Sequence, residues 1–322
     1  MTGRPAIDGA GVRMTRVLGP DTIRDFDPFL MLDSLDSTNP ADYLAGFPMH
    51  PHRGIETITY LASGRIDHRD SLGNEGSIRD GQAQWMCAGS GVLHEEMPKA
   101  SERMLGVQLW LNLPAAEKMS RPAYNALDEV AEVWVNAEGK PVDLTWRDAE
   151  GEPIDQTRRD AVGEPAGVAG RDAAGEPADG AAAASAEGAE EAPVLVHVVA
   201  GEFAGVRGFA GDHLPATFLE LRIPAGARVH VPAAAGQAPY AFLLEGAATT
   251  AGRRYPAKTA LAFAGDGDAV SFAAPDDAEA RILYFSAPRL DEPVAWGGPI
   301  VMNTDAELDQ AFRDLRVGTF VR

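Results

Sequence analysis

The sequence predicts an all-β chain, built as antiparallel sandwiches or barrels and ending in one helix. Three observations carry that reading. Short segments of alternating apolar and polar residues recur at 55–61, 81–86, 105–111, 218–223, 240–244 and 280–285. Between them, 34 glycines and 23 prolines break the chain at intervals of about 8 to 12 residues, the spacing of short strands joined by turns. Near the end, Thr304 and Glu307 form a capping box, and Leu308, Ala311, Phe312 and Leu315 follow at helical spacing. Among the strands, LGVQLWL at 105–111 is the plainest: β-branched, aromatic and alternating, as a strand with one buried face should be.

At 322 residues and roughly 150 residues per domain, the chain holds two domains, each able to bury its own core. With 45% apolar and 24% charged residues it is globular rather than disordered or fibrous. Against 28 basic residues stand 48 acidic ones, a formal charge of −20. Such a chain repels phosphate, which argues against direct contact with nucleic acid or an anionic membrane. Cys87 is the one cysteine, so neither an internal disulfide nor a cysteine-based zinc site is expected. The opening segment has no apolar signal region and no apolar run reaches membrane-spanning length. The expectation is a soluble protein of a reducing compartment, the cytoplasm.

One stretch differs in kind. RDAEGEP, RDAVGEP and RDAAGEP begin at Arg147, Arg159 and Arg171, a period of 12, followed by an alanine-rich acidic run. From Arg147 to Ala192 there are 4 basic and 12 acidic residues and no aromatic one. Too little apolar surface is available there to offset the ordering entropy, and three such repeats are too short and polar to stack. The stretch reads as a solvated, disordered insert between domains.

The chemistry concentrates in the first half. GFPMHPHRGIETITYLASG at 46–64 carries His50 and His52; GSGVLHEEMP at 89–98 carries His94, Glu95 and Glu96. Residues two apart in a strand share a face, so His50 pairs with His52, and His94 with Glu96, while Glu95 turns away. Two such pairs on facing strands set three imidazoles and a carboxylate around a divalent first-row metal with positions left open. Spacing alone admits Glu56, four residues after His52, as readily as Glu96. Each also has a structural reading: Glu56 as partner of Arg53 or Arg65, Glu95 and Glu96 as solvated side chains. His68 reads as a strand residue bonding a nearby loop. His197, His213 and His230 have no partner at ligand spacing, so no metal is expected in the second half. Trp85 and Trp110 read as core, and Trp110 or Trp85 would also suit a wall for a flat phenolic ligand.

GFPMHPHRGIETITYL, QWMCAGSGVLHEEMP, LGVQLWLNLPAAEKM and the tail PIVMNTDAELDQAFRDLRVGTF resemble the signature of the pirin family, within the cupin superfamily. The likeness runs through about 1–135 and, more loosely, 194–322. It implies a bicupin: a metal-binding cupin barrel over 1–135, a metal-free barrel over 194–290, and an extension with a helix over 291–322; the acidic insert, over 136–193, has no counterpart in the family. It also implies His50, His52, His94 and Glu96 as ligands, favouring Glu96 over Glu56, and iron(II) as the usual metal, with other divalent ions accommodated.

Two positions depart from the family pattern. Cys87 replaces a small hydroxyl residue and reads as a buried, inert thiol; Ser90 replaces an arginine common in the GxG turn. The resemblance implies two functions. One is a quercetin 2,3-dioxygenase type of reaction, in which dioxygen opens a flavonol ring and carbon monoxide is released, with Glu96 (or Glu56) accepting the 3-hydroxyl proton. The other is metal- or redox-dependent regulation through a protein partner. Access to the metal separates them: an enzyme needs a pocket that reaches the ion.

Overall fold

In the computed structural model the described residues are 1–142, 146–147, 153–154, 192–263 and 267–321; the acidic repeats, apart from two short pieces of strand, lie outside them. Eleven strands make the first barrel: β1 (Arg4–Asp8), β2 (Val12–Leu18), β3 (Phe29–Ser37), β4 (Phe47–His52), β5 (Ile55–Ser63), β6 (Arg65–Asp70), β7 (Glu75–Ile78), β8 (Ala83–Cys87), β9 (Val92–Lys99), β10 (Met104–Asn112) and β11 (Ala123–Leu127). A seven-stranded sheet in the order β1-β2-β3-β10-β5-β8-β11 faces a four-stranded sheet in the order β4-β9-β6-β7.

The second barrel repeats the plan. Its six-stranded sheet runs through Val194–Ala200, Thr217–Ile223, Ala280–Ala287 and Ala238–Glu245, opposite a four-stranded sheet centred on Arg228–Pro232 and Ala269–Ala273. All six segments expected to be strands from their alternation fall on strands; at 81–86 the strand starts at Ala83 because Gly81 sits in a turn with φ 76°. Among the described residues no helix is long and apolar enough to cross a membrane.

Period-two alternation explains how the barrels join. On the large sheet of the first barrel, Ile58, Tyr60, Trp85, Val107 and Leu109 face outward and meet Phe218, Tyr240, Phe242, Leu283 and Phe285 of the second. The largest apolar core therefore lies between the barrels, and the intervening positions, Thr59, Gln84 and Gln108 among them, face the interior of the first barrel. Strand β12 (Ala131–Val135) corrects a boundary: it falls inside the 1–135 expected for the first barrel but pairs with Val194–Ala200 in the second barrel's sheet. Chain crossover therefore comes after β11, because the apolar face of β12 (Val133, Val135) is buried in the second core.

The tail returns to the first barrel. Residues Ala295–Gly297 and Ile300–Met302 form a hairpin, and the helix Asp305–Val317 follows, capped by Thr304 and Glu307 as expected and ended by Gly318 at φ 77°. Arg53 anchors it. This residue is 1% exposed; Nη1 donates to Asp314 Oδ2 at 2.8 Å, Nε to the Ser90 carbonyl at 2.7 Å, and Nη2 to the Phe320 carbonyl at 3.0 Å. The guanidinium also lies 4.2 Å from the centre of the Phe320 ring. Beside it, Gly54 has φ 79°, and a Cβ there would stand 1.9 Å from the Val301 carbonyl, so only glycine fits.

Removing Asp314 leaves Arg53 charged and buried without its carboxylate partner. Asp314→Ala is expected to cost about 3–5 kcal/mol, read as a lower urea midpoint, with proteolysis of the tail beginning before that of the barrels.

Candidate metal centre

Strands β4 and β9 pair antiparallel, with His50 opposite His94 and Phe47 opposite Glu96; an irregularity between Phe47 and His50 shifts the register. On β9 the even residues Val92, His94 and Glu96 are buried, while Glu95 turns outward and pairs with Arg69 at 2.8 Å. The parity argument from the sequence holds on this strand. A ligand atom from each of His50, His52 and His94 lies within 4.8 Å of the others.

The protonation of these rings indicates what they are for. His50 Nδ1 lies 2.9 Å from the Pro48 carbonyl, and His52 Nδ1 lies 3.0 Å from the Pro299 carbonyl. A carbonyl only accepts, so both neutral rings carry their proton on Nδ1. Their Nε2 atoms, 3.0 Å apart, then present lone pairs to each other, which repel unless a cation sits between them. Two nitrogens about 2.1 Å from one ion and about 90° apart would show that separation. His94 is fully buried, and neither of its ring nitrogens has a hydrogen-bond partner. A buried polar atom left unsatisfied is costly, and a metal relieves it. The donors fit a divalent ion.

Glu96 stands beside this cluster rather than inside the 4.8 Å group. Across β10, β5 and β8, Gln108, Thr59 and Gln84 are successive partners in register, and this row faces Glu96 from the opposite sheet. Gln84 Nε2 donates to Glu96 Oε1 at 2.5 Å. The Thr59 hydroxyl lies 2.9 Å from that oxygen and 2.6 Å from Gln108 Oε1, so its one proton serves one of them at a time. Both contacts to Glu96 fall on Oε1, which leaves Oε2 for a metal or a proton. Burial pushes the Glu96 carboxyl up to about 7, and its hydrogen bonds counteract this only in part.

Glu56 lies elsewhere. The chain turns at Arg53 and Gly54 as it passes from the small sheet to the large one, so the count of residues from His52 no longer predicts the face. Glu56 is opposite Cys87 in the β5–β8 register, with Ile58 and Trp85 next on the same outward face. Neither suggested ion pair forms: Arg53 binds Asp314 and Arg65 binds Asp67 at 2.8 Å.

A cavity of about 650 Å³ opens onto His50, His52 and Glu96, walled by Met31, Trp110 and Trp296. Trp110 packs edge-on to His52 with ring centres 5.0 Å apart and tilts against Trp296 at 5.7 Å, whereas Trp85 belongs to the inter-barrel core. The cation on this wall, Arg16, is held by Asp33 at 2.9 and 2.7 Å and by Asp8 at 2.7 Å.

The sequence reading missed the Gln108–Thr59–Gln84 row, whose signal was three polar residues at inward positions of apolar strands. It also missed the tail: Trp296 and Pro299 complete the site from the far end of the chain, Pro299 lying 247 residues beyond His52, which no spacing reveals. His68 bonds Asp70, which accepts from Leu72 and Asn74 in the following turn, as expected of a residue supporting a loop; its ring also lies 5.4 Å from His94 and stacks on Tyr124. In the second barrel His230 is exposed, while His197 is buried between Glu132 and Glu220 at 3.2 and 3.1 Å.

Burial, followed by repulsion from His50, holds the His52 imidazole at about 3, and His50 and His94 are also lowered mainly by burial. Below the ordinary value of 6.5 the unfolded chain binds protons that the folded metal-free chain refuses, so stability falls as pH drops from 6.5 towards 3. Glu96 acts oppositely: its raised value removes stability as pH rises from 4.5 to about 7. In urea titrations of metal-free protein, His52→Gln should gain on wild type by on the order of 2 kcal/mol between pH 7 and 5, and Glu96→Gln should gain in the other direction.

Family models match both halves of the chain: Pirin over residues 11–111 and the Pirin C-terminal cupin domain over residues 218–321. A pirin-like protein of Caulobacter vibrioides is 36% identical over 321 residues, covering 99% of this chain and 96% of its own length. A Pseudomonas aeruginosa protein with a provisional quercetin 2,3-dioxygenase name is 37% identical, with coverage of 98% and 95%. Among solved structures, a quercetin 2,3-dioxygenase from Acinetobacter baumannii superposes with a TM-score of 0.74 at 26% identity, covering 99% of this chain and 95% of that one. With two cupin barrels in tandem, paired β4 and β9 carrying the histidines, and matches along nearly its whole length, the chain belongs to the pirin family and is a bicupin.

Proposed function

We propose that this pirin is a metal-dependent dioxygenase acting on flavonol-like aromatic substrates, with His50, His52, His94 and Glu96 as ligands of an iron(II) ion. The observation that carries the reading is the aromatic-walled cavity that reaches His50, His52 and Glu96, with His94 buried behind them. A regulator that only senses its metal has no need of such an opening, so the cavity favours the enzyme over the regulatory reading. The relatives with quercetin dioxygenase names support the same class. Its setting would be the cytoplasm, where a lone thiol stays reduced.

A bound divalent ion would supply Lewis acidity and, as iron, a redox partner for dioxygen. The chain's own residues do the rest. His50 and His52, their Nδ1 protons tied to Pro48 and Pro299, keep their Nε2 lone pairs free for the ion. Glu96 would face the ion as a carboxylate able to accept the substrate's hydroxyl proton, and Gln84 and Thr59 hold it in place. Trp110 and Trp296 offer flat faces to a fused-ring substrate and displace water. Because Arg16 is already neutralised by Asp33 and Asp8, the wall suits an uncharged polyphenol better than a polyanion.

The test is anaerobic loading with iron(II), then quercetin and oxygen. Wild type should bleach the flavonol absorbance with release of carbon monoxide; His52→Ala and Glu96→Ala should lose roughly a hundredfold or more of that rate, while Glu56→Gln keeps it. Stoichiometric metal binding without turnover would overturn the dioxygenase reading.

A further inference from the structure

We propose that Glu56, Cys87 and His213 form a second metal site, a thiolate-containing one suited to zinc(II), at the seam between the two barrels. A ligand atom from each lies within 4.8 Å of the other two. They come from three separate segments: Glu56 and Cys87 are cross-strand partners on β5 and β8, and His213 lies on the loop that precedes strand Thr217–Ile223 of the second barrel.

Two independent features point to a ligand at this place. Glu56 is 2% exposed, its Oε2 has no hydrogen bond of good geometry, and the Trp85 side chain offsets its burial only in part; a buried carboxylate oxygen in that state is costly. In addition, His213 Nδ1 lies 3.2 Å from Glu117 Oε2. A carboxylate on one imidazole nitrogen fixes the tautomer that leaves the other nitrogen unprotonated, the arrangement that orients metal-bound histidines.

The donor set differs from that of the first site. One thiolate, one carboxylate and one imidazole balance a divalent charge and favour a borderline-soft ion in four coordination, with water in the fourth place. From within 4.8 Å, closure onto an ion 2.0 to 2.3 Å from each donor requires side-chain shifts of about 1 Å. Burial pushes the free Cys87 thiol up to about 12, with Glu56 adding to the effect. Metal binding must therefore displace protons: the S–H bond is lost, the metal–sulfur bond forms and that proton leaves to solvent, and Glu56, pushed up to about 7 by burial, gives up its own where it is protonated, with no change in oxidation state. Bound, the ion would clip the second barrel's loop to the first barrel's large sheet. Cys87 is thus a ligand in waiting rather than an inert filler, and His213, without a partner in sequence, has two in space.

Cobalt(II) under reducing, oxygen-free conditions reads this site separately from the first, because only a thiolate ligand produces sulfur-to-cobalt charge-transfer absorption in the near ultraviolet. Full-length wild type should bind two ions per chain, one of them with that band. Cys87→Ser should bind one ion and lose the band, His213→Gln should weaken the band-forming site at least tenfold, and the double variant His52→Ala/His94→Ala should keep the band. Zinc uptake should release at least one proton more from wild type than from Cys87→Ser. Saturated wild type without the band, or a second ion retained by Cys87→Ser, would overturn the proposal.

Discussion

A single buried guanidinium ties the functional half of this molecule together. Arg53 sits between His52 and Gly54 at the point where the chain leaves the small sheet for the large one. Each of its three nitrogens donates to a different partner: the Ser90 carbonyl, the Phe320 carbonyl and Asp314. Each partner comes from a different segment: the turn before β9, the chain end, and the C-terminal helix. Burying such a charge is costly, and the cost is offset only when the tail is docked. Placement of His52, docking of the tail and the lining of the cavity are therefore one event rather than three.

Tail docking also completes the site's polar accounting. Pro299 supplies the carbonyl that fixes the His52 tautomer, and Trp296 leans on Trp110 to make the cavity wall. Buried Lys118 supports the same junction, its ammonium donating to the carbonyls of Gly54 and Val301 and to Asn112. Around the imidazoles, the interior is polar where it must be and apolar elsewhere: the Gln108–Thr59–Gln84 row meets Glu96, and Tyr124 and His68 back His94. Unpaired nitrogens on a fully buried histidine, beside two rings whose Nε2 atoms converge, then mark a cation site.

Alternating sequence made the strands legible, since a strand with one buried face must repeat every two residues. The helix was legible from its cap, which acts within four residues. His94 and Glu96 share a face because β9 is uninterrupted between them. Glu56 could not be assigned that way: the argument from His52 assumed a continuous strand, and Gly54 at positive φ breaks it. The β12 boundary was missed for a related reason, because Val133 and Val135 announce a buried face without saying in which barrel.

The sequence by itself determined the class of the fold, the capped helix and the shared faces of His50 with His52 and of His94 with Glu96, because these rest on spacing within one strand or turn or on long, ordered motifs. Only the tertiary structure decided that Glu56 turns outward to Cys87 and His213, that the tail supplies Pro299 and Trp296, and that the largest core lies between the barrels. Those outcomes depend on contacts between residues far apart in the chain, whose pairing is set by which faces are buried against each other once the two sheets have packed.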